Sequence, residues 1–186
     1  RALLRSPFEE YQLQALESIA ADLGDLRGSY YYVLMLCEQL AVASTTAPAL
    51  GAGVPRASDR ARRRAIALLG ELGDLTTARF LLRLLRSERE STVQMEILDA
   101  LSRLGTDAGG TGIRVVREIV DGDIARGGTD QVARAVIRYL EAIYDYEGGF
   151  LTADGVELLT RIMSGPYARS TRERAVESLR GLANSR

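Results

Sequence analysis

The chain has 186 residues, 46% apolar and 26% charged, with 24 basic against 25 acidic side chains and a formal net charge of −1. That length suits one domain or one array of repeats, and the balanced charge exerts no whole-molecule pull toward nucleic acid or an anionic membrane. There is no His, no Trp and a single cysteine, Cys37, which excludes an intrachain disulfide, a structural zinc site and a Ser-His-Asp triad.

In chain order, Ser6-Pro7-Phe8-Glu9 joins an N-cap, a proline suited to the first helical position and the Glu of a capping box. Tyr11, Leu13, Leu16, Ile19, Ala20 and Leu23 follow at helical spacing until Gly24-Asp25. A second apolar-periodic segment, Ser29–Ala43, carries Tyr32, Val33, Leu36, Cys37 and Leu40, with Cys37 expected in the core rather than as a reactive thiol. The Gly-, Pro-, Ala- and Thr-rich stretch 44–57 reads as a long loop. Ser58 is expected to cap a helix to Leu72, and Gly73-Asp74 to break it, with Gly73 in a left-handed conformation and Asp74 capping Leu75–Arg86. Ser91 is expected to cap a helix ending at Leu104-Gly105, Thr111 to start one through Val120 as its first residue or its N-cap, and Thr129 to cap one ending at Tyr146. Thr152–Met163 and Arg169–Ala183 complete the series, with Gly165-Pro166 between them. Sustained alternation is missing, so the expected fold is all-α.

The helices resemble one another. "LGELGD" (69–74) aligns with "LSRLGT" (101–106), then with "LEAIYD" (140–145) and "LRGLAN" (179–184), while "AADLGD" (20–25) precedes them. The partner helices share Ala78-xx-Leu81-Leu82-xx-Leu85, Gly112-xx-Val115-Val116-xx-Ile119 and Gly155-xx-Leu158-Leu159-xx-Ile162. Helix pairs recurring at this interval are the mark of an α-solenoid. "RAIALLGELGDLTTARFLLRLLRSE" resembles a HEAT-like repeat of the short type also found in phycobilin lyases, closely over residues 60–120 and loosely over 8–184. The resemblance implies a HEAT-like α-α superhelix of about nine helices in four and a half pairs, spanning 1–186 as one domain. It usually accompanies a protein-binding role and carries no catalytic residues or cofactor to transfer.

Several stretches invite a chemical reading. Gly70 and Gly73 follow a helix, so they face carbonyls rather than the amides a phosphate loop needs, and read as punctuation. "DAGGTGIR" (107–114) opens a helix beside Arg114 but has no preceding strand and no Lys, and reads as a loop. "VDGDIARGG" offers Asp121 and Asp123, too few carboxylates for a calcium loop. Arg60, Arg62, Arg63 and Arg64 crowd one helix start and read chiefly as a solvated face. Tyr30 and Tyr31 are expected to be exposed and, with Tyr32, Tyr139, Tyr144 and Tyr146, are candidate interface anchors.

The sharper candidate is a ladder. Arg79, Arg83 and Arg86 form one stripe on the second helix of a pair, and the repeat alignment sets Arg83 over Arg117. With Arg114, these five are expected to line the concave face and bind an acidic segment of a protein partner, against local pairing with Glu88, Glu90 or Glu118. The expected function is a non-catalytic adaptor; the alternatives are a nucleic-acid-binding HEAT protein, which the charge disfavours, and a bilin lyase-like subunit. No membrane insertion is expected, since no apolar run approaches the roughly 18 residues of a spanning helix. The chain starts at Arg1, so it is expected to be a processed product or part of a longer chain, cytoplasmic or exported.

Overall fold

A computed structural model describes residues 9–21, 30–42, 58–146 and 152–184. Among these residues the chain is all-helical, with nine helices: α1 Glu9–Ala21, α2 Tyr30–Val42, α3 Asp59–Leu72, α4 Leu75–Ser87, α5 Ser91–Leu104, α6 Thr111–Ala125, α7 Asp130–Tyr146, α8 Ala153–Ser164 and α9 Arg169–Asn184. The expected Ser6-Pro7 cap, the 44–57 loop and the side chain of Tyr32 lie outside the described residues.

The chain forms two compact units, residues 1–77 and 78–186. In the first, α3 packs on both α1 and α2. In the second, α5, α7 and α9 pack in one row and α6 and α8 in another, while α6–α7, α7–α8 and α8–α9 join the rows. Packing of each helix on the next but one is the arrangement from which α-α superhelices are made. The repeat alignment predicts the inward positions: Ala78, Leu81, Leu82 and Leu85, Gly112, Val115, Val116 and Ile119, and Gly155, Leu158, Leu159 and Ile162 are all buried. Burying one such Leu or Ile contributes roughly 1.5–3 kcal/mol.

Several caps follow the sequence. The Ser58 hydroxyl accepts the amide of Ala61 at 3.1 Å and Asp74 Oδ1 accepts those of Thr76 and Thr77 at 2.9 and 3.2 Å, whereas Thr152, expected inside its helix, stands before α8 as the cap and accepts the amide of Gly155 at 3.4 Å.

Three expectations are corrected. Gly73 is extended, with φ −78° and ψ 170°, not left-handed. Its missing side chain is explained by crowding instead, because a Cβ there would collide with the Leu69 carbonyl and the Thr77 side chain. Ser91 is the first residue of α5 rather than its cap; Glu90 stands at the cap, its side chain accepting the Thr92 hydroxyl at 2.6 Å but no backbone amide of the helix. Upstream, Glu88 Oε1 accepts the amides of Arg89 and Glu90 at 2.8 and 2.9 Å. Thr111 likewise begins α6 after a left-handed Gly110, and the carboxylate that receives the helix start is Asp107, whose Oδ1 accepts the amide of Ile113 at 2.7 Å.

The arginine-rich start of α3 is a solvated face only in part: Arg60 and Arg63 are exposed, but Arg62 and Arg64 turn inward to partners. Arg62 is buried and donates from Nε to the carbonyl of Ala41 at 2.9 Å, meeting an acceptor in the last turn of α2. Arg64 holds Glu17 of α1 with bonds of 2.9 and 3.0 Å. Tyr30 is half-buried and donates to the carbonyl of Leu72, whereas Tyr31 is exposed and meets the Tyr30 ring edge-on at 5.4 Å. Tyr139 and Tyr144 are buried and Tyr146 is exposed. Cys37 is fully buried, and burial pushes its thiol up to about 12.

Candidate interaction surface on α4 and α6

Both helices earn their orientation from apolar residues at three- and four-residue steps. With Ala78, Leu81, Leu82 and Leu85 buried, Arg79, Arg83 and Arg86 of α4 are left exposed. On α6 the buried set leaves Arg114 and Glu118 exposed and Arg117 half-buried.

The five arginines differ in how they are matched. Arg86 grips Glu118 in a two-pronged pair, Nε to Oε2 at 2.9 Å and Nη2 to Oε1 at 3.0 Å. Arg117 reaches α8, where its Nη2 lies 3.0 Å from Asp154 Oδ1 and 2.9 Å from Glu157 Oε2. Arg161 of α8 returns the bridge to Asp121 of α6 at 2.9 Å. Arg114 lowers the pKa of Asp107 electrostatically. Arg79 and Arg83, by contrast, make no hydrogen bond or ion pair among the described residues. The surplus of positive charge therefore lies at Arg79 and Arg83, while Arg86 and Arg117 are matched by acids and Arg114 is exposed within the field of Asp107. Like charges four apart on a helix cost roughly 0.2–0.5 kcal/mol, and nothing inside the described residues offsets that cost at Arg79 and Arg83.

The other candidate stretches close on themselves. Asp107 is buried and supplies the negative charge at the start of α6, taking the amide of Ile113 through its side chain and that of Gly112 through its carbonyl. Burial pushes its carboxyl above the usual value, against the pull of the Ile113, Gly110 and Gly112 amides and the charge of Arg114. Asp123, also buried, accepts the Thr129 amide at 2.7 Å and the Tyr167 hydroxyl at 3.1 Å. Burial and the neighbouring aspartates raise the pKa of Tyr167 well beyond the usual tyrosine value. Among the described residues no cluster of three or more His, Cys, Asp or Glu side chains is placed to hold a metal ion.

Sequence patterns left the bridges of the α5–α7–α9 row unremarked. Arg138 Nη2 meets Asp99 Oδ1 at 2.6 Å, and Arg174 Nη2 meets both Glu141 oxygens at 2.9 Å. The signal for the first was present: Asp99 and Arg138 each stand two residues before the aligned Leu101 and Leu140. Arg134 instead donates to two hydroxyls, Thr171 at 3.0 Å and Ser170 at 2.8 Å.

Comparison with protein-family models, with curated proteins and with solved structures gives no match. Among the described residues no helix is long and apolar enough to cross a membrane.

Proposed function

We propose that the chain is a HEAT-like repeat scaffold, non-catalytic, whose partner is an acidic segment of another protein docking on α4 and α6 against Arg79, Arg83 and Arg114. The observation that carries this reading is the pair Arg79 and Arg83: exposed, four residues apart, and without an acid or carbonyl partner among the described residues. Six other helix-bridging arginines, Arg64, Arg86, Arg117, Arg138, Arg161 and Arg174, each hold a carboxylate. The buried repeat positions of α4, α6 and α8 support the HEAT-like part of the reading.

The test is anisotropy titration with a labelled glutamate-rich peptide at low salt. The double reversal Arg79→Glu and Arg83→Glu is expected to weaken binding at least about tenfold, equivalent to roughly 1.4 kcal/mol, while Arg172→Glu on exposed α9 surface leaves it unchanged. Equal losses in both variants, or no saturable binding, would overturn the proposal. A single-stranded DNA that binds more tightly than the peptide, and loses binding in the double reversal, replaces the acidic segment with nucleic acid.

A further inference from the structure

A cleft of about 380 Å³ lies along α7 and α9, bordered by Tyr144 and Asp145 of α7 and by Arg174, Glu177, Ser178 and Gly181 of α9. Its charge is legible from its pairs. The guanidinium of Arg174 is taken up by Glu141, which meets it with both carboxylate oxygens at 2.9 Å. Asp145 and Glu177, both exposed, then leave the cleft negative, since Glu177 lies only in the outer reach of Arg174 at 3.8 Å. Ser178 adds an independent sign. The residue is 6% exposed and its hydroxyl oxygen has no hydrogen-bond partner among the described residues, a cost to the fold that a ligand donor would relieve.

The shape narrows the ligand further. A Cβ built at Gly181 meets nothing within 4 Å, so open space lies beside the helix where a side chain would stand. The Tyr144 ring offers an apolar wall for methylene groups. A buried single acceptor reached past an apolar wall suits a compact ammonium on a flexible stem better than a flat guanidinium fork. We infer that the α7–α9 cleft binds a primary alkylammonium, with Asp145 and Glu177 matching its charge and Ser178 accepting one N–H. The group can arrive on a free diamine or on a lysine side chain. This site is separate from the α4–α6 surface and does not depend on the scaffold reading.

The probes are cadaverine for a free amine and Nα-acetyl-lysine methylamide for a lysine side chain, titrated at low salt and followed by backbone amide shifts. The expected result is saturable shifts confined to α7 and α9, with the double variant Asp145→Asn and Glu177→Gln binding at least tenfold more weakly. Gly181→Leu, which fills the open space, is expected to abolish binding. Cadaverine alone binding identifies a small amine; the lysine derivative binding as well identifies a partner's side chain. No saturation with either probe, unchanged affinity in the Asp145/Glu177 variant, or agmatine binding as tightly as cadaverine overturns the assignment. Because Asp145 and Glu177 are exposed, that variant decides the matter even where Gly181→Leu perturbs the helix.

Discussion

The hydroxyl of Tyr139 on α7 fills the space that a side chain at Gly112 of α6 would need, and it donates a hydrogen bond of 3.1 Å to the carbonyl of Thr106. One phenol thus sets how closely two helices approach and also meets a loop acceptor. Gly112→Ala is expected to cost roughly 1–3 kcal/mol through overpacking. In a Tyr139→Phe background that cost is expected to shrink, though not to vanish, because Asp107 Oδ1 stands 2.8 Å from the same point. A double-mutant cycle in urea measures it; equal costs in both backgrounds would separate the two residues.

Asp107 gives a pH dependence of unusual sign. Its folded pKa is raised, chiefly by burial, so the fold favours the protonated form more than the unfolded chain does. Its contribution is greatest below the unfolded pKa of about 3.9 and falls as pH rises through the folded value. Asp107→Asn keeps an acceptor oxygen for Ile113 and removes the charge. The stability difference, wild type minus variant, is expected to decline as pH is raised from about 3 upward, as urea midpoints will show. A difference that grows with pH would contradict the burial of the carboxylate.

Asp123 holds two donors at once, the Thr129 amide and the Tyr167 hydroxyl. Removing it strands both. Asp123→Ala is expected to destabilise by about 2–4 kcal/mol and Tyr167→Phe by about 1 kcal/mol, since an unmet buried group costs more than a lost bond. Calorimetry on the two single variants orders them; the reverse order would place the strain elsewhere.

Cys37 is expected to be inert in the folded chain. Its thiol titrates at about 12 because of burial, so almost no thiolate exists at neutral pH. An aromatic disulfide reagent at pH 8 is expected to react only as fast as the chain opens, and fully once denaturant is added. Prompt stoichiometric reaction of the native protein would refute this.

Gly181 is expected to be improvable. No positive φ argues for glycine there and a Cβ would meet nothing within 4 Å, so Gly181→Ala is expected to stabilise by about 0.5–1 kcal/mol, the usual helix-propensity gain. A melting temperature that falls instead would point to a contact made by the backbone at that position.

Much of the architecture was legible because helical periodicity is local: the Ala78, Gly112 and Gly155 series names its inward positions from spacing alone. What escaped depends on how the chain folds back on itself, over a few residues at the turns and over tens of residues between helices. Gly73 looked like a left-handed terminus, yet its constraint comes from Thr77 folding back over it. Thr111 looked like a cap, yet Asp107 takes the amide six residues on because the left-handed Gly109 and Gly110 return the chain toward it. Arg62 read as surface because charge density says nothing about which carbonyl a guanidinium will find. On the α4–α6 surface the five arginines were identifiable, but their inequality was not, since Glu118 and Asp154 are 32 and 37 residues away from the groups they hold.

The helix-bridging arginine pairs have a consequence for assembly rather than strength. They lie at the solvent boundary, with side-chain exposures from 25% to 68% for Arg64–Glu17 and Arg117–Asp154, where each contributes only about 0–1 kcal/mol. Yet each joins residues on helices brought together from distant parts of the chain, and at Arg86 a slip of one turn toward the start of α6 would replace Glu118 with Arg114 and set guanidinium against guanidinium. Weak bonds of this kind serve as proofreading: they barely hold the correct stack, but they make the wrong ones more costly.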